Sequence, residues 1–447
     1  MEVRVDGWAW LPKSELTFAQ LHMLRQTLTV YPRNLGPQKD AEVKPVYLFQ
    51  ETDSHMGVAR EYFYANRRAH HQVDLRTTLG DATRHQTSGA FSGLLRDEQR
   101  MAVSTVMERF HSGTLGGIVR APAGSGKTVL ACALIAQLDL PTLVIVHKEF
   151  LMNQWKERIA EYLPEASVGH AQQDVCDYEG RSIVLGMIHS LGAGKYPQAF
   201  HDWVGFVVVD ECHRLGAATF SAVPPMFRAK HRLGLSATPR RKDGAENAFF
   251  WHLGPVLFSG KEQRLLFKVK RVWTKFKLVK TDRFNPTLAP RSLVITFLTK
   301  STFRNRVITE QMISALQAGR KLIVLSERLD HLSLLATYLH EMWPDNSGPV
   351  PTVGFYVGGK KEHELAEARE ARVLLATTQF ATEGLDIPEL DTLFLTTPIS
   401  DVEQAVGRIL RPHEAKKEPV VVDFRDDGVS LLERQAKSRD RYYEKFV

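Results

Sequence analysis

Residues 116–138, GGIVRAPAGSGKTVLACALIAQL, decide the fold of this chain. The apolar run GGIVR predicts a strand, and TVLACALIAQL predicts a helix. Between them, residues 121–128 (APAGSGKT) supply the glycine-containing turn of a phosphate-binding loop. Gly124 and Gly126 let the backbone N–H groups and the helix N-terminus face an anion. The stretch therefore predicts a parallel α/β sheet with a phosphate site at one strand end.

The loop also predicts the ligands of a magnesium nucleotide. Lys127 would reach the β- and γ-phosphates, and the Thr128 hydroxyl would bind Mg²⁺. Ala121 stands where the common loop pattern has glycine, and a glycine-rich turn without a ligand is the alternative for the loop taken alone. The residues predicted to surround the nucleotide here are Ala123, Gly124, Ser125, Gly126, Lys127 and Thr128.

A second stretch, residues 206–213 (FVVVDECH), completes the predicted ATP site. Its apolar run predicts a strand, so the acids that follow would lie at the C-terminal edge of the sheet, where such sheets bind ligands. Asp210 fits a partner of Mg²⁺, and Glu211 fits the group that orients and activates the attacking water. An acidic pair after a strand is a weak signal alone, but together with the loop it predicts magnesium-dependent ATP hydrolysis.

Composition and pattern predict three parts in this chain of 447 residues. Residues 1–88 predict a small accessory α+β domain, which closes in a polar linker and is a candidate for DNA binding. Residues 89–285 and 286–447 each alternate short β-rich apolar runs with amphipathic segments. The predicted fold class is therefore α/β, with two tandem parallel-sheet domains after the accessory domain.

Several protein classes are excluded by the same composition. The longest continuous apolar stretch, residues 129–136, is far shorter than the roughly 18 residues that span a bilayer. The N-terminus lacks the basic start and apolar run of a secretory signal, so we expect a cytoplasmic protein, in the host cell if the chain is phage-encoded. Cys132, Cys176 and Cys212 lack the spacing of a Cys-based zinc site or a disulfide framework.

Positive charge is concentrated in one segment. Residues 260–306 contain 13 Lys and Arg against 2 Asp and Glu, whereas the whole chain has a net charge of +7. Within this segment, basic and apolar residues alternate as in a strand, which we expect near the end of the domain 89–285. The side chains predicted to share one face and contact phosphates are Lys268, Lys270, Lys275 and Lys277. A solvated strand face explains the pattern equally well.

The motifs together resemble those of superfamily 2 helicases and translocases of the DExH type. They follow the family's order along the chain: APAGSGKT (121–128, motif I), DECH (210–213, motif II), GLSATPR (234–240, motif III), TTQFATEGLDIPELD (377–391, motif V) and QAVGRILR (404–411, motif VI). With LRDEQ at 95–99, the chain looks most like the phage UvsW-type branch-migration helicases and their XPB-like relatives. The resemblance implies two RecA-like domains with a cleft between them that binds ATP and Mg²⁺.

Roles for further residues follow from the resemblance. Gln99 corresponds to the glutamine that contacts adenine, with Arg96 beside it. Motif VI implies that Arg408 and Arg411 act as arginine fingers towards the γ-phosphate, with Gln404 next to it. The residues expected to couple the nucleotide to the strand-binding face are His213, Ser236 and Thr238, and those expected to sense the nucleotide are Gly384 and Asp386.

Nucleic-acid contacts are implied in both parallel-sheet domains. The candidate residues are His147, Lys148, Ser190, Ser326, Thr377 and Thr378. By resemblance, hydroxyl and backbone N–H groups of these loops hold sugar-phosphate, so binding depends little on base sequence. Helix N-capping is the competing explanation for each Ser and Thr.

The predicted function is an ATP-driven, monomeric DNA helicase that acts on forks and four-way junctions. The motifs themselves do not distinguish DNA from RNA. Two alternatives stay open: a translocase that moves on duplex without separating its strands, and a nucleic-acid binder or annealing factor whose release is timed by ATP.

Overall fold

The computed structural model describes most of the chain. The described residues are 2–33, 44–66, 71–74, 89–122, 124–216, 221–237, 239, 243–260, 266–278, 289–385, 387–400, 402–410, 413–414 and 416–446. They divide into two compact units, Met1–Glu262 and Gln263–Val447. No helix of the described part is both long enough and apolar enough to cross a membrane.

The N-terminal part of the first unit is a small mixed sheet with the order β5-β6-β2-β1-β7. Its strands are β1 (Glu2–Val5), β2 (Trp8–Pro12), β5 (Phe49–Glu51), β6 (His55–Ala59) and β7 (His71–Asp74), while β3 (Thr29–Val30) and β4 (Val46–Tyr47) pair separately. Two helices, Phe18–Thr27 and Arg60–Asn66, accompany it. This is the α+β accessory fold expected from the sequence.

The larger part of the first unit is an eight-stranded sheet with the order β11-β10-β12-β9-β13-β14-β8-β15. Its strands are β8 (Gly116–Arg120), β9 (Thr142–Val146), β10 (Val168–Gln172), β11 (Val175–Cys176), β12 (Ile183–Met187), β13 (Phe206–Asp210), β14 (His231–Ser236) and β15 (Val256–Ser259). All neighbouring pairs are parallel except β10 with β11. The helices of this part are Asp97–His111, Lys127–Leu138, Glu149–Tyr162, Ile188–Gly192, Gln198–Trp203 and Asn247–Leu253.

The apolar strand sequences explain why this sheet lies in the core. Every residue of β9 is buried, as are the first four residues of β13. A parallel sheet is covered by helices on both faces, so its central strands are continuously apolar and do not alternate.

The second unit contains a six-stranded, fully parallel sheet with the order β16-β21-β20-β17-β19-β18. Its strands are β16 (Lys268–Trp273), β17 (Leu322–Ser326), β18 (Val353–Tyr356), β19 (Val373–Thr377), β20 (Thr392–Leu395) and β21 (Val420–Arg425). Its helices are Arg291–Lys300, Thr302–Gln317, Leu329–Met342, Glu362–Glu370, Thr378–Gly384, Glu403–Ile409 and Ser430–Tyr443. The prediction of two parallel α/β sheets is confirmed.

The basic strand lies in a different sheet from the one expected. The sequence pattern placed it near the end of the domain 89–285, but β16 pairs with β21 at the edge of the second sheet. The pairing joins segments about 150 residues apart, from Lys268 opposite Val420 to Trp273 opposite Arg425. Local alternation identifies a strand but not its distant partner, so the sheet could not be assigned from this pattern.

Two buried arginines join the N-terminal sheet to the first parallel sheet. Arg60 Nη1 donates to the carbonyl of Ala229 at 2.7 Å, and Arg232 Nη2 donates to the carbonyl of Gly7 at 2.9 Å. Both arginines are fully buried. A Cβ at Gly7 would come within 1.8 Å of the Pro225 carbonyl oxygen, so the backbones touch directly. The accessory domain is therefore packed into the first unit.

Buried ion pairs hold the second unit together around β21. Arg304 donates to both carboxylate oxygens of Asp426, at 2.8 and 3.0 Å, and both side chains are almost fully buried. Asp423 accepts from Arg425, Arg439 and the Tyr443 hydroxyl. Removing one partner of such a pair leaves an uncompensated buried charge.

We expect the Arg304→Met substitution to lower the free energy of unfolding of the second unit by about 3–5 kcal/mol. Hydrogen exchange of peptides from β20 and β21 measures this locally. Arg306→Met is the matched control, since Arg306 is an exposed residue of the same helix and its loss should cost at most about 0.5 kcal/mol. Equal hydrogen exchange in Arg304→Met and Arg306→Met would contradict the expectation. The double variant Arg304→Met, Asp426→Leu should recover much of the lost free energy of unfolding, because no unpaired charge stays buried.

Candidate nucleotide site and nucleic-acid contacts

Three neighbouring strands bring the predicted motifs to one edge of the first parallel sheet. β13 and β14 pair with Asp210 opposite Leu235, and β14 and β8 pair with Ser236 opposite Arg120. The Ala121 N–H donates to the Ser236 carbonyl at 3.1 Å, so the loop leaves the sheet beside β14. Adjacent strands lie about 4.8 Å apart. The loop, the acidic pair and motif III therefore lie close together.

The phosphate-binding loop has the backbone that its glycines predict. Gly124 and Gly126 adopt left-handed conformations, with φ of 78° and 79°. Gly126 is the residue that precedes the helix, and the ammonium group of Lys127 donates to the Ala121 carbonyl at 3.1 Å, on the loop itself. Ala123 lies outside the described residues.

Arg96 and Gln99 contact the backbone of this loop. Gln99 Nε2 donates to the carbonyls of Ser125 and Gly126 at 3.1 and 3.3 Å, and Arg96 Nη2 donates to Ser125 at 3.0 Å. The Gln99 Oε1 atom accepts from the Arg96 N–H at 2.9 Å. With φ of 79° at Gly126 and a Cβ there only 2.4 Å from Gln99 Nε2, a side chain at this position would be strained. Both side chains brace the loop, and the adenine contact of Gln99 stays a prediction.

The two acids at the end of β13, Asp210 in the strand and Glu211 directly after it, have different surroundings. Asp210 Oδ2 accepts from Trp155 Nε1 at 2.9 Å, and its Oδ1 accepts from the Glu211 N–H at 3.0 Å. Glu211 has a left-handed backbone with φ of 49°, which is uncommon for a residue with a side chain. Such strain concentrates at functional sites, where the surrounding structure holds it in place.

His213 connects the acidic pair to motif III. Its Nδ1 atom lies 3.1 Å from the Ser236 hydroxyl and 3.3 Å from Glu211 Oε2. Two of the three predicted coupling residues, His213 and Ser236, are therefore in contact with each other, and His213 also contacts the acid expected to activate water. Thr238, the third, lies outside the described residues.

Burial and nearby charge shift the pKa values of the two acids in opposite directions. Burial and the negative charge of Glu211 raise the pKa of Asp210. Burial alone would raise the pKa of Glu211 too, but contact with His213 and the charges of Lys127, His213 and His147 lower it to about 2. The Glu211 carboxylate is therefore negatively charged at neutral pH.

The residues present fit a magnesium nucleotide. Among the described residues, the buried Ser125 hydroxyl has no hydrogen-bond partner, and Glu211 Oε2 has its ion-pair contact with His213 but no hydrogen bond. The start of a twelve-residue helix and the Lys127 ammonium supply positive charge for phosphates. Thr128 and Asp210 are the oxygen donors that would hold Mg²⁺.

In the second unit, motif VI residues contact motif V. Gln404 and Arg408 are half-buried on the helix Glu403–Ile409, and Arg408 Nη1 donates to the Leu385 carbonyl at 2.8 Å. Leu385 directly follows Gly384, the last residue of its helix. The roles of Gln404 and Arg408 at the γ-phosphate stay predictions. Asp386 and Arg411 lie outside the described residues.

The candidate nucleic-acid residues of the first unit follow two strand ends. His147 and Lys148 come directly after β9 and are half-buried, and Lys148 is the N-cap residue of the next helix. Ser190 follows β12, and its hydroxyl accepts from the Gln173 N–H at 2.9 Å. For Ser190, the contact favours a local role in bracing that turn.

The candidates of the second unit divide into buried and half-buried residues. Ser326 is fully buried, and its hydroxyl bonds His331 Nδ1 at 3.0 Å and accepts from the Arg328 N–H at 3.1 Å. This placement does not allow the direct strand contact expected of Ser326, because the core encloses its hydroxyl. Thr377 and Thr378 are half-buried at the start of the helix Thr378–Gly384.

All four lysines of the basic stretch are exposed. Lys268 and Lys270 lie on β16, and Lys268 pairs with Glu418 at 2.6 Å. Lys275 and Lys277 follow the end of the strand and alternate with buried residues. The chain therefore does present a row of cations, although half of it lies beyond the strand.

Trp155 is the site residue that sequence reasoning missed. Its spacing with Leu151, Met152 and Ile159 predicts only the buried face of a helix, and all four are buried. The hydrogen bond to Asp210 joins residues 55 positions apart, and helical periodicity carries no signal for it.

Comparison with known proteins gives matches of the kind the motifs predict. Residues 92–241 match the family model described as "Type III restriction enzyme, res subunit". A protein of Acanthamoeba polyphaga mimivirus named "Putative ATP-dependent RNA helicase L396" is 29% identical, and the match covers 94% of this chain and 81% of the viral protein. An African swine fever virus protein named "Putative ATP-dependent RNA helicase QP509L" is 28% identical over 72% of this chain and 67% of its own.

Among solved structures, "The crystal structure of T4 UvsW" covers 100% of this chain and 98% of its own, with 16% identity and a TM-score of 0.38. A TM-score this low supports no comparison of domain arrangement. The family model nevertheless matches the part of the chain that carries APAGSGKT, DECH and GLSATPR, and the mimivirus relative matches 94% of the chain. The resemblance of this chain to superfamily 2 helicases is confirmed.

Proposed function

We propose that this chain is an ATP-dependent DNA helicase that unwinds or branch-migrates forked and junction DNA. The observation that carries the proposal is the meeting of the Lys127 loop with Asp210 and Glu211 at neighbouring strand ends. A phosphate cradle beside a charged carboxylate is the arrangement that nucleotide hydrolysis by water needs.

Each residue of the site has one chemical task in this proposal. Lys127 binds the negative charge of the β- and γ-phosphates, and Thr128 and Asp210 hold Mg²⁺, which neutralises phosphate charge when bound. The Glu211 carboxylate accepts a hydrogen bond from the attacking water and takes its proton at Oε1 or Oε2. By resemblance to motif VI of the helicases, Arg408 would stabilise the charge that develops on the γ-phosphate.

The contact between His213 and Ser236 supports coupling of hydrolysis to movement along a strand. His213 contacts both Glu211 and Ser236, the last residue of β14. In this proposal, a change at Glu211 therefore reaches the end of β14 through His213. Binding and release of nucleotide then alternate two states of the strand-binding loops. The cations of β16 and the residues after it attract the polyanion independently of sequence.

The choice of DNA rests on the resemblance of the motifs to UvsW-type helicases. RNA is the second candidate, since the names of both viral relatives describe RNA helicases. The third candidate is a translocase that moves on duplex without separating its strands. The restriction-enzyme family model that matches residues 92–241 favours it.

We expect Lys127→Ala to abolish ATP hydrolysis while the fold and most nucleic-acid affinity remain, because Lys127 binds phosphate from a half-buried loop. Glu211→Gln should retain nucleotide binding but stall hydrolysis. Phosphate release and nucleotide binding are measured for both variants. Lys156→Ala, at an exposed lysine of a neighbouring helix, is the control and should behave as wild type. Normal turnover by the folded Lys127→Ala variant would refute the site.

Trp155→Phe tests the positioning of Asp210. Phenylalanine keeps the buried ring but removes the N–H that holds Oδ2, a hydrogen bond to a carboxyl group worth about 1.5–3 kcal/mol. We expect a higher Mg²⁺ requirement and roughly 10- to 100-fold slower hydrolysis, measured by titrating Mg²⁺ at saturating ATP. Trp203→Phe, at a half-buried tryptophan of the same unit, should change neither quantity. Unchanged Mg²⁺ dependence in Trp155→Phe would rule out the positioning role.

Strand displacement identifies the substrate. Labelled forks, four-way junctions and plain duplexes of DNA are compared with RNA of the same sequences, each with ATP and with the Glu211→Gln variant as the inactive control. We expect ATP-dependent displacement to be fastest on branched DNA. Faster displacement of RNA would make the chain an RNA helicase. ATP hydrolysis that duplex stimulates, without strand displacement, would make the chain a translocase. If ATP hydrolysis only released bound nucleic acid, the chain would be a nucleic-acid binder or annealing factor.

A further inference from the structure

A cavity of about 230 Å³ lies where β16 and β21 end in the second unit. Its apolar walls include Trp273, Phe424 and Leu432. Trp273 is the last residue of β16 and leaves 59% of its surface exposed, a large fraction for the largest aromatic side chain. An exposed aromatic side chain at an apolar cavity is a platform on which a planar ring can stack.

The charged walls of the cavity are fixed by ion pairs within the unit. Asp426 is bound by Arg304 and by the Thr274 hydroxyl, and Arg425 donates to Asp440 at 2.8 and 3.1 Å. These groups have already neutralised one another, so they define a rigid shape and do not select a ligand by charge. A preformed cavity loses little entropy when a ligand enters it.

The remaining charges of the cavity favour a base over a phosphate. Asp427 and Glu433 are exposed carboxylates that line it, with Lys437 as the exposed cation. Carboxylates repel a phosphate group, but they accept hydrogen bonds from the amino groups of nucleobases. The volume also favours a base: pockets for drug-sized ligands measure roughly 300–1,000 Å³, so this smaller cavity accepts one ring system and not a whole nucleotide.

Outside the cavity, the chain on both sides of Trp273 is basic. Lys270 precedes it by three residues, and Lys275 and Lys277 follow it, all of them exposed. Sites for single-stranded nucleic acid combine cations that track the backbone with aromatic rings on which bases stack. Phosphates would lie along these lysines while one base turns inwards.

We propose that the cavity beside Trp273 binds one unpaired nucleobase of a nucleic-acid strand, stacked on the indole ring. The site rests on the proposed nucleic-acid function and extends it, because it adds a contact to bases in the second unit through residues that the motifs do not include. A base can enter only if it is unpaired, so the site distinguishes single strands from duplex.

The test compares oligonucleotides that have bases with oligonucleotides that lack them. Binding of a labelled single strand and of an abasic strand of the same length is measured by fluorescence anisotropy. We expect Trp273→Ala to weaken binding of the normal strand roughly 5- to 150-fold, the range found for loss of one base-stacking residue. Binding of the abasic strand and of blunt duplex should not change, because neither offers a free base.

Two further variants separate stacking from other causes. Trp273→Phe keeps an aromatic ring and should retain most of the affinity. Phe303→Ala removes a similarly exposed aromatic residue, 58% against 59%, that does not line the cavity, and it should bind as wild type. Unchanged binding of the normal strand by Trp273→Ala overturns the proposal, and so does an equal loss for normal and abasic strands.

ATP hydrolysis measured in the same samples distinguishes this site from the function on which it rests. If the wild type hydrolyses ATP faster with nucleic acid and Trp273→Ala binds as well as wild type, the cavity proposal alone is wrong. If the wild type neither binds the strand nor hydrolyses ATP, the proposed function fails and the cavity proposal fails with it. Basal hydrolysis without nucleic acid should be equal in wild type and Trp273→Ala.

Discussion

The parallel register of β13, β14 and β8 is the constraint on which the candidate site depends. It brings Asp210, Ser236 and the start of the loop to one edge because the three strands are adjacent and run in the same direction. The register is secured by apolar side chains on both faces of the sheet, so a shift by one residue would exchange the contacts of every buried strand residue. A catalytic arrangement of charged groups is thus held by the packing of uncharged ones.

Local strain in the site is stabilised by contacts that surround it. The left-handed backbone of Glu211 costs of order 1–3 kcal/mol, and Glu211 is held by its contact with His213 and by its own N–H, which donates to Asp210. Gly126 adopts its left-handed conformation without such strain because it has no Cβ, and its carbonyl accepts from Gln99 Nε2. Contacts with His213, Asp210 and Gln99 therefore define the shape of both halves of the site.

The sequence predicts those features that depend on short-range pattern. The loop of Lys127, the acidic pair after β13 and both parallel sheets follow from apolar runs and glycine positions a few residues apart. The features it misses depend on contacts between distant residues: the pairing of β16 with β21, the hydrogen bond from Trp155 to Asp210, and the enclosure of Ser326 by His331. A motif identifies a residue's chemistry, but the burial of its side chain depends on packing partners elsewhere in the chain.

The position of β16 gives its lysines two physical roles. At the edge of a sheet, unpaired backbone groups invite another strand, and exposed lysines oppose such pairing because burying their charge is unfavourable. The same charges attract a polyanion, whose phosphates carry the counter-charge and need no hydrogen bonds from the strand. Protection of the edge would require only Lys268 and Lys270, because Lys275 and Lys277 lie beyond β16. Since the cations continue past the strand on both sides of an exposed tryptophan, edge protection explains half of the row, and nucleic-acid contact explains the whole of it.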